Sequence, residues 1–191
     1  VLGQEVLDEE WLSLCRLAQV NRSDELRLQL MQERLIRPLE TDGPEGWTFT
    51  HGMLREALEQ HAADNGRLRG HHLLVATMLR ARGAFGERLA HHLRAGGDLE
   101  GAIPPYQATV HRYLQEHDPN AAEAVFNEWF DVLAELDSPA DDQRWYQAKL
   151  TRVQIAMLRG HLLEAESLAE EVQTAARNEK WLDLEVECHL I

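Results

Sequence analysis

The amino-acid sequence predicts a mainly α-helical protein, and three observations carry that expectation. Apolar side chains recur at three- and four-residue spacing along most of the 191 residues. Helix start and stop residues, among them Ser23, Asn65-Gly66, Asp118-Pro119 and Gly160, punctuate these stripes. Strand-like composition is confined to one short stretch, residues 38–50.

The elements follow in order. From Asp8 onward, Trp11, Leu12, Leu14, Cys15 and Ala18 form the stripe of an amphipathic helix. Asn21-Arg22-Ser23 breaks it, and Ser23 is a good N-cap with Asp24 and Glu25 placed where the helix dipole favours them. The second helix carries Leu26, Leu30, Met31 and Leu35 and is expected to run to Arg37, stopping at Pro38. Leu39-Glu40-Thr41 and Trp47-Thr48-Phe49-Thr50 then flank the turn Asp42-Gly43-Pro44-Glu45-Gly46, which reads as a small hairpin. Two helices followed by a hairpin is the order of a winged-helix-like module, expected over 1–66. Thr50 is predicted to cap its last helix, with His51 in the first turn, Met53, Leu54, Ala57 and Leu58 on the apolar face, and a stop at Asn65-Gly66. Connecting helices fill 67–96. One covers about 68–82 with Leu68, His72, Val75, Ala76 and Leu79 on one face, and a shorter one carries Leu89, Ala90 and Leu93 before Gly96-Gly97.

Residues 97–191 read as antiparallel helical hairpins. Asp118-Pro119 supplies an N-cap and a proline at N1 for a helix burying Ala122, Val125, Phe126, Trp129, Leu133 and Leu136. Ser138-Pro139, with Asp141 as an imperfect capping box, is expected to start the next, carrying Trp145, Tyr146, Ala148, Leu150, Val153 and Met157 as far as Gly160. A third, 162–177, holds Leu162, Ala165, Leu168, Ala169, Val172 and Ala176, and Trp181 opens a last, truncated helix. Gly97 to Ala102 and Gly160 to Ala165 share the pattern G-x-x-x-x-A, the turn-and-packing signature of tetratricopeptide-like hairpins. Their offset of 63 residues is close to twice a repeat of about 34. Trp129 and Trp145 are expected to be mostly buried.

Charge separates the halves. Residues 1–96 hold twelve basic and fourteen acidic side chains, residues 97–191 seven and nineteen, within a total of −14. So acidic a second half repels phosphate backbones and suits protein contacts better than nucleic acid. No apolar run approaches the ~18 residues of a membrane span. Cys15 and Cys188 cannot build a disulfide framework, which points to a reducing cytoplasm. With no initiator Met and an apolar pattern running to Leu190-Ile191, the chain reads as a piece of a longer protein. Phosphate-binding, nucleophile-elbow, zinc-protease and paired C-x-x-C motifs are missing, so no catalytic residue is assigned. None of the ten histidines pairs at i,i+3 or i,i+4, so no metal site is expected; His71-His72 and His91-His92 point about 100° apart within each pair.

Four segments together are more specific. Phe49-Thr50-His51-Gly52-Met53-Leu54-Arg55-Glu56 resembles the F-x-H-x-x-L-R-E stretch that ends the winged helix of STAND-class signalling ATPases, relatives of the AAA group. Arg69-Gly70-His71-His72, leading to Val75-Ala76, is similar to the family's R-x-x-H-x-x-I-A helix. Leu89-Ala90-His91-His92, leading to Ala95-Gly96, resembles the segment that opens its helical repeats, and Leu2-Gly3-Gln4-Glu5-Val6 resembles the start of its winged helix. The likeness covers about 1–103. It implies a bacterial regulator in which an upstream P-loop nucleotide domain is held closed by the winged helix when ADP is bound, while the repeats bind a protein partner. Kinases, cyclases or LuxR-type domains are the outputs in such proteins. ATP and ADP would then be cofactors of the parent protein and not of this segment alone. His51 matches the family histidine that contacts the ADP β-phosphate, although the Met-His-Asp triplet around it in NOD-like proteins is not reproduced here. The other reading of His51 is that it merely caps or packs its own helix, and Arg55 either faces the nucleotide domain or pairs with Glu59. The alternative function is a winged-helix DNA-binding transcriptional regulator with a helical effector or oligomerisation domain. Its recognition helix would be Ser23 to Arg37, in which three arginines meet three carboxylates.

Overall fold

A computed structural model describes residues 1–21, 23–40, 43–139 and 142–189. Expectations that fall on Arg22, Thr41-Asp42, Asp141 and Leu190-Ile191 lie outside the described residues. Ten helices and one three-stranded sheet are present among them, so the protein is mainly α. No helix among them is long and apolar enough to cross a membrane. The chain divides into two compact units, Val1–Ala84 with Ala95–Asp98, and Phe85–Arg94 with Leu99–Ile191.

The first unit runs β1 (Glu5–Leu7), α1 (Asp8–Leu17), α2 (Asp24–Gln32), β2 (Ile36–Pro38), β3 (Gly46–Phe49), α3 (Gly52–Asp64) and α4 (Leu68–Ala81). Its antiparallel sheet has the order β1-β3-β2, with Val6 opposite Trp47 and Ile36 opposite Phe49. Val6, Ile36 and Trp47 are buried as one cluster, covered by Leu2, Trp11, Leu30, Met31 and Phe49. The Trp47 ring meets Trp11 and Phe49 edge-on at 6.1 and 5.2 Å, the arrangement that the ring quadrupoles favour.

Ser23 caps α2 as its residue type predicts, its Oγ accepting from the Leu26 N–H at 3.0 Å. The helix does not reach Arg37. It closes after Gln32 with Arg34 in the left-handed region (φ 57°), and the N–H groups of Arg34 and Leu35 donate back to Met31 and Leu30. Ile36 is then free to enter the sheet, where its side chain is buried. The hairpin's first strand is accordingly Ile36–Pro38, not the segment after Pro38. Pro38 lies on an edge strand, where a missing N–H is tolerated. Asn65-Gly66 does stop α3, and the Gly66 and Arg67 N–H groups bond to the Ala63 and Ala62 carbonyls. In α4, Val75, Ala76, Met78 and Leu79 are buried.

The second unit holds α5 (Glu87–Gly96) as far as Arg94, then α6 (Leu99–Gln115), α7 (Pro119–Glu135), α8 (Gln143–Leu158), α9 (Leu162–Glu179) and α10 (Leu182–His189). From α6 on, each helix packs on the next, and α8 also touches α6 and α10. That placement explains why α8 buries residues around much of its circumference: Ala148, Leu150, Thr151, Val153, Ile155 and Ala156. Gly97 and Gly160 both adopt positive φ (86° and 76°), while Ala102 and Ala165, five residues on, are both buried. The glycine turn and small packing residue expected of the G-x-x-x-x-A segments are therefore present. The other inter-helix turns use His117, Asp137 and Lys180 in the same left-handed region.

Asp118 caps α7 through Ala121 N–H at 3.0 Å. Ser138 does not cap α8. Asp142 does, accepting from Arg144 N–H at 2.9 Å, while the Ser138 Oγ and carbonyl accept from Arg144 Nη2 and Trp145 Nε1. Once Asp137 turns the chain left-handed, Ser138 and Pro139 belong to the connection. Trp129 is buried, Trp145 only half-buried, and Leu136 is a half-buried C-cap. Met157 and Leu162, expected in the core, are 40% and 65% exposed.

Ion pairs bind neighbouring helices of this unit. Arg94 on α5 reaches Glu128 and Glu135 on α7, both at 2.5 Å; chiefly the hydrogen bond to Glu135 holds its guanidinium firmly protonated. Glu123 on α7 accepts from Arg152 and Arg159 of α8, and Arg152 also reaches Glu164 on α9 at 3.2 Å.

Candidate functional site

Both residues singled out by the sequence lie at the start of α3, and the sheet sets where that helix begins. Gln4 and Leu35 grip the end of β3. Phe49 N–H donates to the Gln4 carbonyl at 3.1 Å, Gln4 Nε2 returns a bond to the Phe49 carbonyl, and Thr50 N–H donates to the Leu35 carbonyl at 2.9 Å. Thr50 is thereby held in the sheet's hydrogen bonding and does not cap α3, contrary to expectation. His51 occupies the N-cap with extended backbone (φ −131°, ψ 125°), and no side chain caps the helix. Its imidazole is exposed and makes no hydrogen bond or ion pair among the described residues. The first-turn N–H groups beside it form the positive end of a 13-residue helix.

Arg55, one turn later, donates through Nη1 to both carboxylate oxygens of Glu59 at 2.9 and 2.8 Å, the i,i+4 pair its spacing allows.

The expected apolar face of α3 is only partly used. Met53 is 79% and Leu58 52% exposed, and Ala62 is the buried residue of this helix. Among the described residues α3 packs mainly on α4 and β3, so a narrow strip is covered and much of its apolar surface stays exposed.

Between the sheet and helices α1, α3 and α4 lies a cavity of about 460 Å³. Trp11, Cys15, Trp47, Phe49, Leu74 and Val75 line it, and the exposed Arg67, His61 and His71 stand at its mouth beside the Arg55–Glu59 pair. Sequence periodicity had assigned Cys15 and Val75 to core stripes, which cannot distinguish a filled core from the wall of a cavity. In the second unit a different apolar group is exposed around the α8–α9 turn: Met157, Leu158, Leu162 and Leu163, the last 84% accessible. Among the described residues no three His, Cys, Asp or Glu side chains gather as a metal site would require.

The chain matches no protein-family model, no curated protein and no solved structure.

Proposed function

We propose that this chain is a non-catalytic regulatory and interaction segment of a STAND-class signalling ATPase. Its N-terminal module, a winged helix, clamps an upstream nucleotide domain in cis, and its C-terminal tetratricopeptide-like hairpins bind a protein partner. The observation that carries the reading is the path of the first unit. Two helices lie between β1 and β2, a hairpin joins β2 to β3, the sheet order is β1-β3-β2, and this framework leaves the His51 ring free at the start of α3. An exposed imidazole beside unpaired helical N–H groups suits a phosphate brought by another domain. The exposed Met53 and Leu58 give the same helix an apolar surface to cover. Apolar exposure at Met157, Leu158, Leu162 and Leu163 supports partner binding by the repeats, whose paired glycine turns and buried alanines are those of stacked hairpins.

At the start of α3 ADP would meet the His51 imidazole and one set of helical N–H groups, so the segment alone is expected not to retain it; one neutral hydrogen bond is worth only ~1 kcal/mol net. The test is made in the longer protein. His51→Ala is expected to speed ADP release and raise basal activity, and an unchanged ADP off-rate removes the sensor role.

The DNA-binding reading has less support. Arg27 of α2 is engaged by Asp8 at 2.5 Å and Arg37 lies 3.6 Å from Glu40, while Asp24, Glu25 and Glu33 share the helix and its end. A basic stripe facing a groove is missing from that arrangement. Salt-dependent binding of duplex DNA by this chain would reinstate it.

A further inference from the structure

The cavity of the first unit has a chemistry that the clamp does not use. Its walls are aromatic and aliphatic, supplied by Trp11, Trp47, Phe49, Leu14, Leu74 and Val75. Its volume of about 460 Å³ falls within the range of small-molecule sites, ~300–1,000 Å³. The charged and titratable side chains around it are Arg55, Glu59, Arg67, His61 and His71, with the buried Cys15 thiol on the wall. Glu59 is the one carboxylate among them and is already held by Arg55. Arg67 is exposed at the mouth and makes no ion pair among the described residues. An apolar interior with an uncompensated guanidinium at its entrance selects for an apolar body and a planar anion, since the guanidinium fork matches a carboxylate geometrically.

We propose that this cavity is a binding site for a medium-chain fatty acid anion, its alkyl chain among Trp11, Trp47, Phe49 and Leu74 and its carboxylate at Arg67. An apolar wall alone would take an alcohol, an amine or an acid of one chain length about equally. The side chains at the mouth break that equality in favour of the acid. The site needs neither the upstream nucleotide domain nor His51, so it stands or falls separately from the clamp.

The probes are octanoate, 1-octanol and octylammonium, followed by the indole N–H signals of the five tryptophans in two-dimensional NMR. Trp11 and Trp47 report on the cavity, and Trp129, Trp145 and Trp181 of the other unit serve as internal controls. Octanoate is expected to shift the Trp11 and Trp47 signals saturably while leaving the other three in place, with at least tenfold preference over octylammonium. Arg67→Gln, a change at an exposed position, is expected to weaken octanoate about tenfold and leave 1-octanol unchanged. Ala62→Phe, which fills the cavity from α3, is expected to abolish both; should that variant fail to fold, Arg67→Gln carries the decision. No saturable shift, equal shifts at all five indoles, or octylammonium binding as tightly as octanoate would each overturn the proposal. The measurement is repeated on the longer protein. Loss of the response there would mean that chain ahead of Val1 fills the cavity, which overturns the proposal equally.

Discussion

Gly46 is the residue whose replacement probes the first unit most directly. It sits on β3 opposite Leu7 of β1, and a Cβ built on it lies 2.4 Å from the Val6 carbonyl oxygen, 3.1 Å from Leu7 Cα and 2.8 Å from Leu39 Cδ1. Leu39 can turn its side chain away, but the two backbone atoms cannot move without β1. Restoring an ordinary carbon–oxygen contact needs a shift of roughly 1 Å. That shift strains the bonds on either side, Asp8 N–H to the Glu45 carbonyl at 2.9 Å and Leu39 N–H to the Gly46 carbonyl at 3.1 Å. Overpacking of this kind costs about 1–3 kcal/mol, and one weakened backbone bond adds about 1 kcal/mol. The stiffer unfolded chain of an alanine variant offsets about 0.4–1 kcal/mol. Gly46→Ala is therefore expected to destabilise by ~2–3 kcal/mol, a fall in melting temperature on the order of 10–20 °C for a unit of this size. Urea unfolding by circular dichroism measures it, and hydrogen exchange of peptides from 1–84 localises the loss. Gly70 provides the contrast: it is helical, nothing lies within 4 Å of its built Cβ, and Gly70→Ala is expected to stabilise by ~0.5–1 kcal/mol. A Gly46→Ala protein within about 0.5 kcal/mol of the parent would refute the close β1–β3 approach and the register behind it.

Two further outcomes concern the second unit. His117, Asp137 and Lys180 adopt φ near 50–60°, so His117→Gly, Asp137→Gly and Lys180→Gly are each expected to raise stability by ~0.5–1 kcal/mol in chemical denaturation; destabilisation at all three would contradict the left-handed turns. The hydrogen bond from Arg152, reinforced by the Arg152 and Arg159 charges, holds the Glu123 carboxyl below its ordinary value despite burial. A depressed folded-state value stabilises at pH above the unfolded carboxylate range, ~4.3, and that contribution is lost as pH falls through the folded value. Acid titration should thus show a shallower loss of stability in Glu123→Gln than in the parent, and identical acid profiles would remove the pair from the account.

Much of this architecture could be read from local sequence because local chemistry decides it. Ser23 and Asp118-Pro119 satisfy helix N-termini with their own side chains, and Gly66 and Gly160 supply the left-handed turns that end α3 and α8. None of these needs a distant partner. The apolar spacing of α4 and α7 likewise identifies the buried Val75, Ala76, Val125 and Trp129, because in both helices the predicted face is the one covered. The continuity of α6 is different. Pro104 and Pro105 lie inside it, a pair that argues locally for a break, and Ile103, Pro105 and Tyr106 are held there by burial.

The candidate site divides in the same way. His51 and Arg55 were singled out only through the resemblance carried by Phe49 to Glu56, whereas the pairing of Arg55 with Glu59 needs no more than one helical turn. The choice of His51 over Thr50 as N-cap was not decided locally, since it depends on Thr50 donating to Leu35, a bond made across the sheet. Nor was the cavity, whose walls come from segments as far apart as Trp11, Trp47 and Leu74. What the sequence determined alone was those starts and turns whose partners lie within a few residues, Ser23, Asp118, Gly66 and Gly160 among them, and which residues prefer to leave water. Only the tertiary structure decided which apolar faces found a cover, ending α2 early so that Ile36 could pair and leaving Met53, Leu58 and Leu163 in solvent. Apolar spacing gives a face its preference for burial, but the area removed from water depends on what packs against it.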